Sequence, residues 1–123
     1  MKQCKILIAD DETDFVQTLQ DRLRAEGFET LTAFEGVRAI ELAHKDLPDL
    51  IILDLKMPAG TGDTVLKALR SKQDTRKIPV LVLTALDKYR LEEEMLRQGA
   101  QSFVQKPYEW SHLKSEIHSL LHL

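Results

Sequence analysis

Five polar residues lie where apolar runs of this chain end, and their types suit chemistry on a phosphoryl group. Asp10 and Asp11 close the first run, Asp54 the third, Thr84 the fourth, and Lys106 follows the fifth. Carboxylates brought together repel one another, so a hard divalent cation such as Mg²⁺ would be drawn to them. Asp54 could also act as a nucleophile, since carboxylates form acyl phosphates. Lys106 and the Thr84 hydroxyl could stabilise phosphoryl oxygens, so the set predicts phosphoryl transfer onto Asp54.

Taken singly, each of these residues has an ordinary structural explanation. An aspartate at the end of a strand is often a helix cap or a turn residue, and a threonine there often has the same use. A lysine that precedes a proline is usually solvated. The functional interpretation therefore depends on whether these strand ends meet at one edge of a sheet.

Five short apolar runs predict five β-strands. Residues 50–53 and 80–83 lack polar alternation, which is typical of strands that are buried on both faces. The second and fifth runs are more polar, as strands at the edges of a sheet tend to be. The predicted strands cover residues 5–10, 28–33, 49–54, 79–84 and 101–105.

The segments between and after these runs carry apolar residues at helical spacing, which predicts five helices. The order along the chain is strand then helix, five times. Right-handed crossovers between parallel strands predict a doubly wound α/β fold, with ligands bound beyond the carboxyl ends of the strands. The residues that mark the five helices are Phe15, Val16, Leu19 and Leu23, then Val37, Ile40 and Ala43, then Val65, Leu66 and Leu69, then Leu91 and Met95, and finally Leu113, Ile117, Leu120 and Leu121.

The composition narrows the class of protein. With 123 residues, 43% of them apolar, the chain has room for one globular domain, which we assign to residues 1–123. A formal net charge of -3 argues against general nucleic-acid binding. The single cysteine, Cys4, excludes a disulfide framework within the chain and a cysteine-rich zinc site. The sequence shows no signal peptide and no apolar run long enough for a membrane span, which predicts a cytoplasmic protein.

Several short motifs lie at the carboxyl ends of the predicted strands. They are Ile-Ala-Asp-Asp-Glu at 8–12, Leu-Asp-Leu-Lys-Met-Pro at 53–58 with Gly62 after it, Thr-Ala at 84–85 and Lys-Pro at 106–107. In these motifs, and over essentially the whole chain, the sequence resembles the receiver domain of bacterial two-component response regulators. The resemblance implies a flavodoxin-like fold with five parallel strands in the order 2-1-3-4-5 and five helices.

The resemblance also implies roles for individual residues. Asp54 would be the phosphoacceptor, and the domain would catalyse its own phosphorylation and slow hydrolysis without turning over outside substrates. Asp11 and Asp54 would bind Mg²⁺ directly, together with the backbone carbonyl of Lys56, and Asp10 would act mainly through water. Lys106 would pair with phosphoryl oxygens and precede a cis peptide bond.

A switch is implied as well. Thr84 resembles the hydroxyl residue that moves towards the phosphoryl group, and Phe103 the aromatic residue that rotates into the space opened behind it. Phe103 could equally be an ordinary core residue of the fifth strand. The surface formed by the fourth helix, fifth strand and fifth helix would then change. Lys56 and Leu86 depart from the family's commonest residues, and we expect them to alter the lifetime of the acyl phosphate.

The implied partners are a histidine kinase or phosphotransfer protein, and an output domain or downstream protein. A phosphorylation-dependent homodimer is a further candidate assembly. We expect the domain not to bind nucleic acid or membrane directly. Among Tyr89, Tyr108 and Trp110, at least one is expected to contact a partner. Three alternatives are a flavodoxin-like cofactor carrier, a haloacid-dehalogenase-type phosphohydrolase and a phosphate-independent interaction module. The phosphohydrolase would require an aspartate at position 56, where this chain has Lys56.

Overall fold

A computed structural model describes residues 3–123 and contains ten regular elements. The strands are β1 (Lys5–Ala9), β2 (Glu29–Ala33), β3 (Leu50–Leu53), β4 (Val80–Thr84) and β5 (Ser102–Gln105). The helices are α1 (Thr13–Ala25), α2 (Gly36–Asp46), α3 (Gly62–Ser71), α4 (Lys88–Arg97) and α5 (Trp110–Leu121). All ten predicted elements are therefore present, with strand ends that differ by about one residue.

The five strands form one parallel sheet in the order β2-β1-β3-β4-β5. This confirms the predicted α/β fold and strand order. Every residue of β3 and β4 is buried, as expected for strands covered on both faces. The more polar β2 and β5 lie at the edges. No helix within residues 3–123 is long and apolar enough to cross a membrane.

Two separate apolar cores lie on the two faces of the sheet. Because successive residues of a strand point to opposite faces, Leu7 and Ile51 enter one core while Ile8 and Ile52 enter the other. Helices α2, α3 and α4 cover the first face, and α1 and α5 cover the second.

The face that α2 buries differs from the predicted one at Val37. The helix is present, but Val37 is 54% exposed. The buried residues of the helix are Gly36, Ala39, Leu42 and Ala43. Val37 precedes Ala39 by two positions, which is about 200° around an α-helix, so the two side chains point in opposite directions.

The loop after β3 is fixed against the beginning of α2. The amides of Gly36 and Val37 donate hydrogen bonds to the carbonyls of Pro58 and Ala59, at 3.1 and 2.9 Å. These bonds satisfy amides at a helix start that would otherwise lack partners. A Cβ at position 36 would meet the carbonyl oxygen of Gly60 and lie 2.6 Å from its carbon. Only glycine permits this close approach of two backbones.

We expect Gly36→Ala to lower the free energy of unfolding by about 1–3 kcal/mol, because backbone atoms must move to admit the methyl group. Urea denaturation measures the change. Val37→Ala, at the exposed neighbouring position, is the matched control and should stay within about 0.5 kcal/mol of the parent. Equal losses in the two variants would show that the contact between Gly36 and Gly60 is not tight.

Candidate functional site

The carboxyl edge of the sheet brings together four of the residues that the sequence singled out. Asp10 follows β1, Asp54 follows β3, Thr84 ends β4 and Lys106 follows β5. Asp10 and Asp54 are only 3% and 4% exposed, and Thr84 is fully buried. Polar groups buried this deeply need partners, and the structure supplies them.

The ammonium of Lys106 is the centre of the site. Its Nζ donates hydrogen bonds to Asp10 Oδ2 at 2.7 Å, to Glu12 Oε1 at 2.9 Å and to Asp54 Oδ2 at 3.3 Å. The same atom lies 3.9 Å from the centre of the Phe15 ring, a cation–π geometry. The Lys106–Pro107 peptide bond is cis. One lysine thus holds three carboxylates and an aromatic ring together.

Glu12 and Phe15 both contact Lys106, and neither contact was identified from the sequence. Glu12 directly follows the acidic pair, and this adjacency was the available signal. Phe15 was assigned only to the buried face of α1. The structure places it at the start of that helix, where its ring lies beside both Lys106 and Tyr108.

Asp10 and Lys106 affect each other's pKa. Burial raises the pKa of Asp10, because the charged form loses water, and this outweighs the opposing hydrogen bond from Lys106. Burial by itself would lower the pKa of Lys106, but hydrogen bonds to Asp10 and Glu12 outweigh it and leave that pKa raised. Lys106 therefore stays protonated, and a nearby cation would favour the charged form of Asp10.

Asp54 is held by backbone contacts at the start of the loop after β3. Its amide donates to the Ala9 carbonyl at 2.9 Å, and its Oδ1 accepts from the Lys56 amide at 3.1 Å. A Cβ on Gly62 would meet the Asp54 carbonyl oxygen and lie 2.6 Å from the Cα of Leu55. The requirement for glycine at 62 is therefore steric. The Lys56 side chain is exposed.

Asp11 lies apart from the carboxylates that Lys106 gathers. Oxygens of Asp10, Glu12 and Asp54 lie within 4.8 Å of one another, whereas Asp11 is exposed and lines the cavity in front of Asp54. The shared ammonium accounts for the closeness of the three. Direct metal binding by Asp11 stays a prediction.

Thr84 and Phe103 both lie in the interior. Thr84 Oγ1 accepts a hydrogen bond from the Leu86 amide at 3.3 Å. Phe103 is 2% exposed and belongs to the same core as Val82 and Met95. Phe103 is thus a core residue of β5, and its rotation as part of a switch stays a prediction.

The three aromatic residues proposed to contact partners differ in exposure. Tyr89 is 96% exposed at the start of α4. Tyr108 packs edge-on against Phe15, with ring centres 5.9 Å apart. The Arg22 guanidinium carbon lies over the Trp110 ring, 5.2 Å from the ring centre. Trp110 also packs against the core beneath α1 and α5. Tyr89 is therefore the most accessible of the three to a partner.

A cavity of about 1040 Å³ opens in front of Asp54, between the loop after β3 and α4. Asp11, Glu12 and Lys56 line it near Asp54, and Leu91 and Met95 line it from α4. Asp54 itself is among the residues that line this cavity. The site thus combines an accessible carboxylate, a protonated lysine and further acidic groups.

Comparison with known proteins decides the family. Residues 6–118 match the response regulator receiver domain family. This chain belongs to that family. It is a regulatory domain of two-component signalling, and the predicted resemblance is confirmed.

Individual relatives agree with this assignment. The receiver domain is 40% identical over 116 residues to the response regulator PleD of Caulobacter vibrioides, covering 94% of this chain and 26% of PleD. It is 34% identical to the transcriptional regulatory protein PrrA of Mycobacterium tuberculosis, covering 95% of this chain and 49% of PrrA. The chain therefore spans half or less of these relatives. The solved receiver domain of Francisella response regulator 1452 superposes with a TM-score of 0.90 at 30% identity, covering 98% of each chain.

We expect Lys106→Met to lower the free energy of unfolding of this receiver domain by about 2 kcal/mol in the absence of divalent cations, because buried carboxylates lose their counter-charge. Urea denaturation at neutral pH measures the change. Lys114→Met, which breaks the half-exposed pair between Lys114 and Glu26, is the control and should cost less than about 1 kcal/mol. Equal costs would contradict a central role for Lys106.

Proposed function

We propose that this receiver domain accepts a phosphoryl group on Asp54 and thereby changes the surface that it presents to a partner. The observation that carries the proposal is the setting of Asp54. Its carboxylate is nearly buried, yet it lies beside an open cavity, with the Lys106 ammonium 3.3 Å from one oxygen. Such a carboxylate is oriented and reachable from one direction.

The transfer itself is a displacement at phosphorus. An Asp54 carboxylate oxygen forms the new P–O bond while the bond to the donor breaks, and the electron pair leaves with the donor group. When the donor is a phosphohistidine, the bond that breaks is P–N and the imidazole nitrogen takes the pair. Lys106 pairs with a phosphoryl oxygen and stabilises the charge that develops there.

The acidic groups fit Mg²⁺. Carboxylate oxygens from Asp10, Asp11 and Asp54 and the Lys56 carbonyl are the hard ligands that this ion prefers. Burial already raises the pKa of Asp10, so this carboxylate would be stabilised by a nearby cation. When bound, Mg²⁺ neutralises charge on the phosphoryl oxygens. Asp11 and Asp54 would hold it directly, with Asp10 contributing through water.

The phosphoryl group adds about -1.5 to -2 units of charge and three acceptor oxygens. Thr84, whose hydroxyl accepts only a 3.3 Å bond from the Leu86 amide, gains a stronger partner when it donates to the phosphoryl group. Movement of Thr84 towards Asp54 frees space next to β5, which Phe103 can occupy. The surface of α4, β5 and α5 would change as a result, either directly or by a shift in a pre-existing equilibrium.

The chemistry points to two classes of protein partner. A histidine kinase or phosphotransfer protein would supply the phosphoryl group, and an output domain or downstream protein would sense the change. We propose that residues 1–123 form a single cytoplasmic receiver domain that does not itself contact nucleic acid or membrane. A phosphorylation-dependent homodimer through the α4–β5–α5 surface is a further proposal.

We expect Asp54→Asn to abolish phosphate incorporation, because an amide cannot form the acyl phosphate. Intact mass measured after incubation with Mg²⁺ and acetyl phosphate should show one added, base-labile phosphoryl group in the parent and none in the variant. Asp63→Asn, which alters another carboxylate lining the same cavity, is the control and should still be labelled. No added mass in the parent would favour a phosphate-independent interaction module.

We expect Lys56→Asn to change the rate at which the acyl phosphate decays. The Lys56 side chain is exposed beside Asp54, where it can contact the phosphoryl group or obstruct an attacking water. The measurement is loss of the phosphoryl mass with time after the donor is removed. Lys67→Asn changes an exposed lysine of α3 and should decay like the parent. Identical decay in all three proteins would remove Lys56 from this role.

A further inference from the structure

We infer that Glu12 is a positioning residue that holds the Lys106 ammonium away from Asp54 and thereby restrains phosphorylation. The inference rests on the proposed role of Asp54. It gives a role to Glu12, the last residue of the motif at 8–12, to which no role in the site has been assigned.

The distances around Lys106 carry the argument. Nζ lies 2.7 Å from Asp10 and 2.9 Å from Glu12, the usual range for a hydrogen bond between two charged groups. The distance to Asp54 is longer, 3.3 Å. The lysine is thus bound most closely by the two acids on the α1 side of the site. Its contact with Asp54 is the weakest of the three.

The Glu12 side chain does not cap the helix that follows it and can therefore bind Lys106. Glu12 is the N-cap residue of α1, where serine, threonine or aspartate usually accepts a backbone hydrogen bond, but its carboxylate makes no such bond. The Glu12 amide donates to Asp10 Oδ1 at 2.9 Å, and its carbonyl accepts from the Val16 amide at 2.9 Å. The backbone is therefore fixed at both ends, while the carboxylate extends to Lys106.

Exposure makes Glu12 the replaceable partner. Its side chain is 60% exposed, whereas those of Asp10 and Asp54 are about 4–5% exposed. Glu12 can exchange Lys106 for water at little cost, but the buried aspartates cannot. The ring of Phe15, 3.9 Å away, keeps the ammonium in place from another direction. When a phosphoryl group forms on Asp54, Glu12 is therefore the contact that Lys106 gives up.

The restraint has two physical components. Lys106 must loosen a 2.9 Å ion pair before it can bind a phosphoryl oxygen closely. The negative charge of Glu12 also repels the incoming phosphoryl group. An exposed ion pair of this kind is worth a factor of about two to five in an equilibrium or rate.

The test compares three substitutions with the parent. Glu12→Ala removes the contact and the charge, Glu12→Asp keeps the charge but shortens the side chain by one methylene, and Asp14→Ala removes a neighbouring exposed charge in the first turn of α1. The rate of phosphate incorporation from acetyl phosphate with Mg²⁺ is followed by intact mass. We expect Glu12→Ala and Glu12→Asp to be faster than the parent by about two- to fivefold, and Asp14→Ala to match it.

A second measurement reports the contact without phosphate. Carbon–proton correlation spectra of the lysine side chains, with the Lys106 signals assigned from Lys106→Met, should show the Lys106 Cε signal displaced in both Glu12 variants and unchanged in Asp14→Ala. A parent that takes up no phosphoryl group would overturn the proposed function, and the restraint with it. With a normally phosphorylated parent, an unmoved Lys106 signal, or a Glu12→Asp rate equal to that of the parent, overturns this inference alone.

Discussion

The Lys106 ammonium lies among three carboxylates that would otherwise repel one another at the carboxyl edge of the sheet. The carboxyl ends of β1, β3 and β5 lie at this edge, and two of the acids there, Asp10 and Asp54, are nearly buried. Coulomb repulsion between such groups is strong because little water screens it. Compensation by the Lys106 cation therefore stabilises the folded arrangement of these carboxylates. Any divalent ion or phosphoryl group that enters must adjust the same balance of charge.

The loop after β3 is tightly fixed and α4 is less deeply buried, so the surroundings of Asp54 have a rigid side and a softer side. Gly36 and Gly62 each bring backbones so close that a methyl group does not fit, which fixes the loop that carries Lys56. Helix α3 buries four residues, whereas α4 buries only Met95. Elements with few buried contacts reorganise at the lowest free-energy cost. A change in charge at Asp54 is therefore more readily accommodated on the side of α4.

The parts of this structure that the sequence predicted are those governed by short-range pattern. Buried strands show as unbroken apolar runs, and a strand end is marked by the polar residue that follows, so the positions of Asp10, Asp54, Thr84 and Lys106 could be inferred. The contact between Glu12 and Lys106 joins residues that are 94 positions apart, and no periodicity records it. The prediction that Val37 lies on the buried face of α2 was wrong for a related reason. Helical spacing identifies a face but not what the face packs against.

The burial of Phe103 constrains how a switch can work in this chain. Its ring is 2% exposed and lies in the core that contains Val82 and Met95. Rotation of a ring from solvent to interior would bury apolar area, but a ring that moves within the core buries little more. In the proposed switch, most of the free energy would then come from the contacts of Lys106 and Thr84 with the charged phosphoryl group. A switch driven by charge should weaken as salt screens it, although contacts this buried are screened far less than exposed ones.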